Sequence, residues 1–110
     1  MKEFVIKING NQAKNLNEFY DQISKTLLLP DYFSKNLDSL SECLNDLSWI
    51  EPESIKVIIE NSSSFLTENS KDKEKVINLM NDVYSEWANV PNFEGEEKFR
   101  KKRIFQFILQ

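Results

Sequence analysis

Residues 29–44 form the most informative stretch of the chain, and they read LPDYFSKNLDSLSECL. Pro30 interrupts the preceding element, and an aromatic-rich turn then leads into apolar residues at helical spacing. This spacing predicts a helix over roughly residues 33–47. Its apolar stripe consists of Leu37, Leu40, Leu44 and Leu47, with Cys43 beside it. Its other face holds Asp38, Ser41, Glu42 and Asn45. An apolar face backed by a carboxylate face is suited to binding another molecule.

A strand and a helix are predicted before this stretch. A continuous apolar run indicates a strand at residues 3–8, too apolar for a half-solvated edge and suited to a sheet covered on at least one face. Asn9 and Gly10 then turn the chain. The apolar spacing over residues 16–27 predicts a helix of about 12 residues, which begins near Asn15 and Glu18. A helix directly after the first strand favours a parallel crossover over a hairpin.

The pattern continues after residue 52. Ser54–Glu60 follow a proline and are rich in β-branched residues, so they predict a second strand. Beyond Ser70, apolar residues from Val76 to Trp87 predict a third helix of about 18 residues. Residues 89–102 are interpreted as an irregular connection, and residues 103–109 as a third strand. The order β-α-α-β-α-β predicts an α/β fold, a small three-stranded parallel sheet packed with helices.

Composition favours one domain that spans residues 1–110. The chain is 40% apolar and 12% aromatic with two glycines, which is enough for a core of its own. It has no apolar run of 18 residues and no apolar leader before a cleavage site, so we expect a soluble, unexported, cytoplasmic protein. The lone cysteine, Cys43, lies among leucines, which predicts a reduced core thiol.

The net charge of −4 is unevenly distributed. Five of the 14 basic residues fall within residues 98–103, whereas residues 31–60 hold seven acidic residues and two lysines. A surface of this sign attracts basic proteins and repels nucleic acid. We interpret the basic run as a charged loop before an edge strand, with nucleic-acid contact as the alternative. The expected partner is a basic protein, and neither nucleic acid nor a membrane.

Asp38 and Glu42 are the strongest candidates for binding residues. Four residues apart on a helix, their carboxylates repel each other by roughly 0.2–0.5 kcal/mol, which Lys35 partly relieves. They form either an ordinary solvated face or a pair kept for a cationic partner, where each charge-assisted hydrogen bond is worth about 1.5–3 kcal/mol. Tyr32 either packs under the helix start or stands exposed as an interface anchor. Asp82 lies on the polar side of the third helix.

Groups suited to catalysis are scarce. The chain has no histidine and so lacks the commonest general base near neutral pH, and no serine or cysteine has the usual basic partner. Gly10 and Gly95 belong to no phosphate-binding motif. We therefore predict a protein that is not an enzyme and uses no cofactor and no metal. A Mg²⁺ site at Asp38 and Glu42 is the alternative.

The central segment resembles the barstar family, small intracellular bacterial proteins that inhibit a secreted ribonuclease. The shared pattern is LPxYFxxNLDxLxxCL. Similarity extends to the opening strand with Ile8-Asn9-Gly10, to residues 19–29, to Trp49-Ile50 with Pro52, and to residues 66–69 and 76–83. It covers most of residues 2–87 and the closing strand, and it implies a barstar-like domain.

The resemblance implies inhibition by mimicry, in which carboxylates take the place of substrate phosphates. Tyr32 would be the aromatic contact, Asp38 a partner for basic active-site groups, and Glu42 the carboxylate in the phosphate pocket. Asp82 would reach in from the last helix. Ser41 stands where the family has an interface tryptophan. Asn45 falls in a stretch that does not match the family's binding loop one residue to one.

We therefore expect a monomeric inhibitor of a basic, barnase-type bacterial ribonuclease. Glu42 is one methylene longer than the family's aspartate, and two extra residues separate Cys43 from Trp49, so the cognate enzyme is expected to differ from barnase. The alternatives are an immunity protein or antitoxin for another nuclease toxin, and an acidic adaptor for a basic protein that is not a nuclease.

Overall fold

The computed structural model describes residues 3–88 and 103–110, which form a three-stranded sheet and three α-helices. The elements follow one another in the order β1 (Glu3–Asn9), a 3₁₀ turn (Gly10–Gln12), α1 (Leu16–Thr26), α2 (Leu37–Asp46), β2 (Ser54–Glu60), α3 (Ser70–Ala88) and β3 (Ile104–Leu109). The predicted order β-α-α-β-α-β and the α/β class are confirmed. The predicted connection at residues 89–102 lies outside the described residues.

The sheet is parallel throughout, with strand order β1-β2-β3. Glu3 pairs with Ser54, and Ser54 in turn pairs with Ile104, so β2 is the central strand. β2 pairs with a strand on each side, and it is buried along most of its length. The prediction that β1 is too apolar for an edge was wrong. β1 lies at one side of the sheet, with Ile6 and Ile8 buried and Val5 44% exposed.

The start of α2 also differs from the prediction, which began the helix at residue 33. Lys35 has a positive φ of 51°, and Asn36 is the N-cap, whose side chain accepts a hydrogen bond from the Ser39 amide. An Asn cap satisfies one of the free amides at a helix start. The helix therefore begins at Leu37, and Phe33 belongs to a turn in which its amide donates to the Pro30 carbonyl.

The helices cover the sheet with their apolar faces. Phe19, Tyr20 and Ile23 of α1 are buried, and the predicted start of α1 is confirmed by a bond from the Glu18 amide to the Asn15 side chain. α3 buries four of its predicted apolar residues. Tyr84, a fifth, is 54% exposed.

The turn after β1 requires a glycine. A Cβ at Gly10 would collide with the backbone carbonyl of Asn61, so the chain can pass here only without a side chain. Cys43 is buried and free, as its position among leucines predicted. Within residues 3–88 and 103–110, no helix is long and apolar enough to cross a membrane.

Candidate protein-binding surface

The outer face of α2 presents two carboxylates to solvent. Asp38 and Glu42 are both exposed and lie four residues apart on the same helix. Within residues 3–88 and 103–110, neither carboxylate forms a side-chain hydrogen bond or an ion pair. Asp38 lies in the first turn, where the positive end of the helix dipole favours a negative charge, whereas Glu42 lies in the middle of the helix. The two charges are therefore available to an external partner.

Lys35 does not relieve this pair, contrary to the sequence-based interpretation. Its ammonium lies 3.1 Å from a carboxylate oxygen of Asp21 on α1. Both side chains of this ion pair are more than half exposed, so the pair contributes little to stability. Because Lys35 pairs with Asp21, Asp38 has no ion pair with the lysine that was expected to neutralise it.

A groove between α2 and α3 brings three of the predicted residues together. It has a volume of about 350 Å³ and is lined by Leu37, Asp38, Ser41, Lys75, Asn78, Leu79 and Asp82. α2 contributes Asp38 and Ser41 to this groove, and α3 contributes Asp82. Two carboxylates at opposite walls suit a cationic side chain from a partner, and Lys75 adds one positive charge of the protein's own to the same groove. Glu42, Asn45 and Tyr32 lie outside this groove.

Tyr32 is half exposed and is tied to the far end of α2. Its hydroxyl donates a hydrogen bond of 2.9 Å to a carboxylate oxygen of Asp46, the last residue of the helix. Loss of hydration at the hydroxyl and this hydrogen bond raise the pKa of Tyr32 well above its ordinary value. The ring thus has a fixed hydroxyl and a half-exposed face, a combination typical of aromatic residues at protein interfaces.

Ser41 and Asn45 lie next to each other on the helix and interact. The Asn45 amide nitrogen donates to the Ser41 carbonyl at 3.0 Å and to the Ser41 hydroxyl at 3.4 Å. Both residues are half-buried. This arrangement gives α2 a small polar surface between Asp38 and Asp46.

Sequence reasoning overlooked two features of this surface. The first is Asp46, which the sequence presented only as one of the seven acids of residues 31–60, although its carboxylate accepts the Tyr32 hydroxyl. The two residues are 14 positions apart, and such a contact has no local sequence signal. Lys75 and Asn78 of α3 were not assigned to a site from the sequence, although both line the groove. Their spacing from Asp82, seven and four residues, is that of one helix face and could have identified them.

The arrangement is suited to recognition by charge. Among the described residues, no group of three or more His, Cys, Asp and Glu side chains is placed to hold a metal ion. The carboxylates of Asp38 and Glu42 can accept hydrogen bonds from guanidinium or ammonium groups. The Tyr32 ring lies at the C-terminal end of the same helix.

This chain is similar in sequence to known proteins. The family model described as Barstar (barnase inhibitor) matches residues 3–106. A Bacillus subtilis (strain 168) protein named "Putative ribonuclease inhibitor YrdF" is 32% identical over 74 residues, which cover 66% of this chain and 79% of that protein.

Proposed function

This chain belongs to the barstar family, and from that premise we propose that it is a protein inhibitor of a ribonuclease. The inhibitory surface consists of the outer face of α2, the turn that carries Tyr32 and the groove between α2 and α3. This surface occupies the active site of a basic, secreted, barnase-type enzyme. The protein acts as a monomer in the cytoplasm, where it protects the producing cell before the enzyme is exported.

The observation that carries this proposal is the pair of unpartnered carboxylates. Asp38 and Glu42 repel each other and have no counter-ion in the described parts of the chain. Arginine and lysine side chains of a ribonuclease active site would neutralise both charges. Charge-assisted hydrogen bonds to such groups are worth about 1.5–3 kcal/mol each. The repulsion between the two carboxylates therefore lowers the stability of the free protein only slightly, whereas their hydrogen bonds to the enzyme would contribute strongly to the affinity of the complex.

The residues divide the work by position. Asp38 and Asp82 hold a cationic side chain in the groove, and Glu42 takes the place of a substrate phosphate. Tyr32 packs its exposed face on the enzyme, and the Ser41 and Asn45 pair supplies polar contacts. Because Glu42 is one methylene longer than the family's aspartate, its carboxylate reaches further, and a matching enzyme has a correspondingly deeper basic pocket.

A nuclease other than barnase is a second candidate partner. Lys75 places a positive charge in the same groove as Asp38 and Asp82, and the described residues give it no ion pair. An enzyme that presents only cations here would be repelled in part by this lysine. This observation favours a partner with mixed charge at that point, such as a nuclease toxin for which the chain is the immunity protein.

The test is titration of the purified protein into a barnase-type ribonuclease that cleaves a fluorogenic RNA. Wild type is expected to inhibit stoichiometrically. Asp38→Asn and Glu42→Gln each remove one charge and are expected to weaken inhibition about 10-fold to 100-fold. Glu60→Gln, which removes an acid at the end of β2, is the matched control and is expected to change inhibition less than about 2-fold.

Two results would contradict the proposal. Equal inhibition by wild type, Asp38→Asn and Glu42→Gln would rule out the acidic face. Absence of inhibition by wild type at micromolar concentration would rule out a barnase-type partner. Stopped-flow association should also slow as ionic strength rises, because oppositely charged surfaces steer the encounter.

A further inference from the structure

Arg103 is a buried cation directly before β3. Only 8% of the residue is exposed, and it precedes Ile104, the first residue of the strand. The sequence predicted the third strand to start at Arg103, one residue too early, and assigned this residue to a charged loop. Arg103 is buried, unlike the expected loop cation, and residues 98–102 of that loop lie outside the described residues. In the described ranges, no carboxylate oxygen lies within 4.0 Å of its guanidinium. A buried arginine without a paired carboxylate needs other acceptors for its N–H groups.

Those acceptors are three backbone carbonyls between α2 and β2. One terminal nitrogen of Arg103 donates to Pro52 at 2.9 Å, and the other donates to Leu47 at 2.8 Å and to Ile50 at 2.6 Å. The segment 47–52 contains no helix or strand. The planar guanidinium, with donors in a fixed fork, is well shaped to hold several carbonyls in one geometry. Arg103 thus holds this segment at three positions, and the Trp49 indole holds it separately by donating to the Leu27 carbonyl at 2.9 Å.

The same contacts close the C-terminal end of α2. Leu47 ends the helix in a left-handed conformation with φ of 52°, and carbonyls in the last turn have no partner within the helix. The Trp87 indole donates to the Leu44 carbonyl at 2.8 Å, and Arg103 lies 5.8 Å from the centre of the Trp87 ring. Residues from α3 and from the start of β3 therefore fix the end of α2.

Stability alone is a weak reason for this arrangement. Burial lowers the pKa of Arg103, which reflects the cost of removing its charge from water. Buried ionic groups can often be replaced by apolar residues without loss of stability. What the guanidinium adds is a defined geometry for segment 47–52. Asp46 directly precedes this segment, and its carboxylate accepts the hydrogen bond of the Tyr32 hydroxyl. A fixed segment therefore also fixes the position of Asp46.

We propose that Arg103 is a positioning residue for the inhibitory surface: it fixes segment 47–52 and the end of α2, and through Asp46 it fixes Tyr32. The effect on inhibition rests on the proposed function, whereas the effect on the backbone does not. Loss of the guanidinium removes this donor from the Ile50 and Pro52 carbonyls and leaves the Leu47 carbonyl with the Ile50 amide alone, so the segment can adopt several conformations in the free protein. Ordering it again on binding then costs affinity.

The first experiment measures the segment without any partner. Amide hydrogen exchange is followed in wild type, Arg103→Lys, Arg103→Met and Val57→Ala, the last being a matched control that destabilises the central strand. In Arg103→Met, the Leu47 and Ile50 amides are expected to exchange about 10-fold faster relative to the amides of α1. Val57→Ala should accelerate the amides that exchange through global unfolding, and it should not raise the rate at Leu47 and Ile50 relative to α1. An unchanged ratio in Arg103→Met would overturn the proposal.

The second experiment measures inhibition of a barnase-type ribonuclease at a temperature at which every variant is folded. Arg103→Met is expected to dissociate at least about 5-fold faster, Arg103→Lys to be intermediate, and Val57→Ala to match wild type. If Arg103→Met and Val57→Ala lost inhibition to the same extent, Arg103 would contribute only to stability and would not be a positioning residue. If Arg103→Met does not fold, Arg103→Lys carries both experiments. A wild type without inhibition would refute the proposed function, and the exchange ratio would still decide the role of Arg103.

Discussion

α1 and α2 begin in the same way and then use their polar residues differently. Each helix has an asparagine N-cap whose side chain accepts a hydrogen bond from a backbone amide. The N-cap is Asn15 in α1 and Asn36 in α2. In α1, the acids and amides serve the fold: Glu18 accepts the Lys14 amide at 2.9 Å, and Asp21 pairs with Lys35 from the turn before α2.

On the polar face of α2, the carboxylates of Asp38 and Glu42 form no comparable bonds. Asp38 and Glu42 have no partner within residues 3–88 and 103–110, although both lie on a helix as well capped as α1. Two helices of nearly equal length in one small fold thus differ in whether these acidic side chains are paired within the described residues. The unpaired acids of α2 are therefore informative because the acids of the neighbouring helix α1 are hydrogen-bonded or ion-paired.

The sharpest test of this difference compares Gln22→Ala in α1 with Glu42→Ala in α2. The Gln22 side chain donates to the Gln12 carbonyl at 2.8 Å and also contacts the backbone of Asn9. Because these bonds tie α1 to the turn after β1, we expect Gln22→Ala to lower the free energy of unfolding by about 1–2 kcal/mol. Glu42→Ala should change it by less than about 0.5 kcal/mol. Urea unfolding of both variants measures this, and equal losses would contradict the comparison.

A second test asks whether the two helix starts are equivalent. Asn36→Ala and Asn15→Ala each remove a capping bond and are each expected to cost about 1 kcal/mol of unfolding free energy. Thermal unfolding checks this, with Asn36→Asp as the control that keeps the acceptor. A cost confined to Asn15 would mean that α2 starts elsewhere than at Leu37.

The smallest expected effect at neutral pH concerns Tyr32 and Asp46. Burial of the hydroxyl and its bond to Asp46 raise the pKa of Tyr32 from its ordinary value of 10.0. A raised tyrosine pKa favours the protonated, folded state, so its contribution is complete below about pH 10 and is lost as the pH rises through the higher folded value.

Asp46→Ala removes the acceptor and should return the pKa of Tyr32 towards its ordinary value. NMR titration of the ring carbon that bears the hydroxyl measures the change, and Asp38→Asn serves as the control that leaves this bond in place. A pKa of Tyr32 that is the same in Asp46→Ala and wild type would show that the bond does not restrain the ring.

The sequence predicted the strands, the order of elements and most of the buried faces, because period-two and helical apolar patterns report directly on burial. It missed the start of α2, since Phe33, Leu37, Leu40 and Leu44 continue a helical spacing straight through the turn. Lysine has no particular preference for positive φ, so nothing marked Lys35 as the break.

The candidate site was predictable in part. Asp38 and Glu42 share a helix and were found by spacing alone, whereas Asp82 was an ordinary surface acid until the resemblance singled it out. The Tyr32–Asp46 bond and the contacts of Arg103 join residues that are far apart in the chain. Such pairings depend on how the helices and loops pack, which local patterns do not encode.

The parallel sheet has a consequence for how the chain folds. Each pairing joins residues about fifty positions apart, Glu3 with Ser54 and Ser54 with Ile104. Neither pairing can form by local collapse, because a long loop must close before the first strand contact is made. We therefore expect α1, α2 and α3 to sample helical structure well before the sheet is complete. Folding should be slow for a chain of this size, with the closing of these two loops as the rate-limiting event.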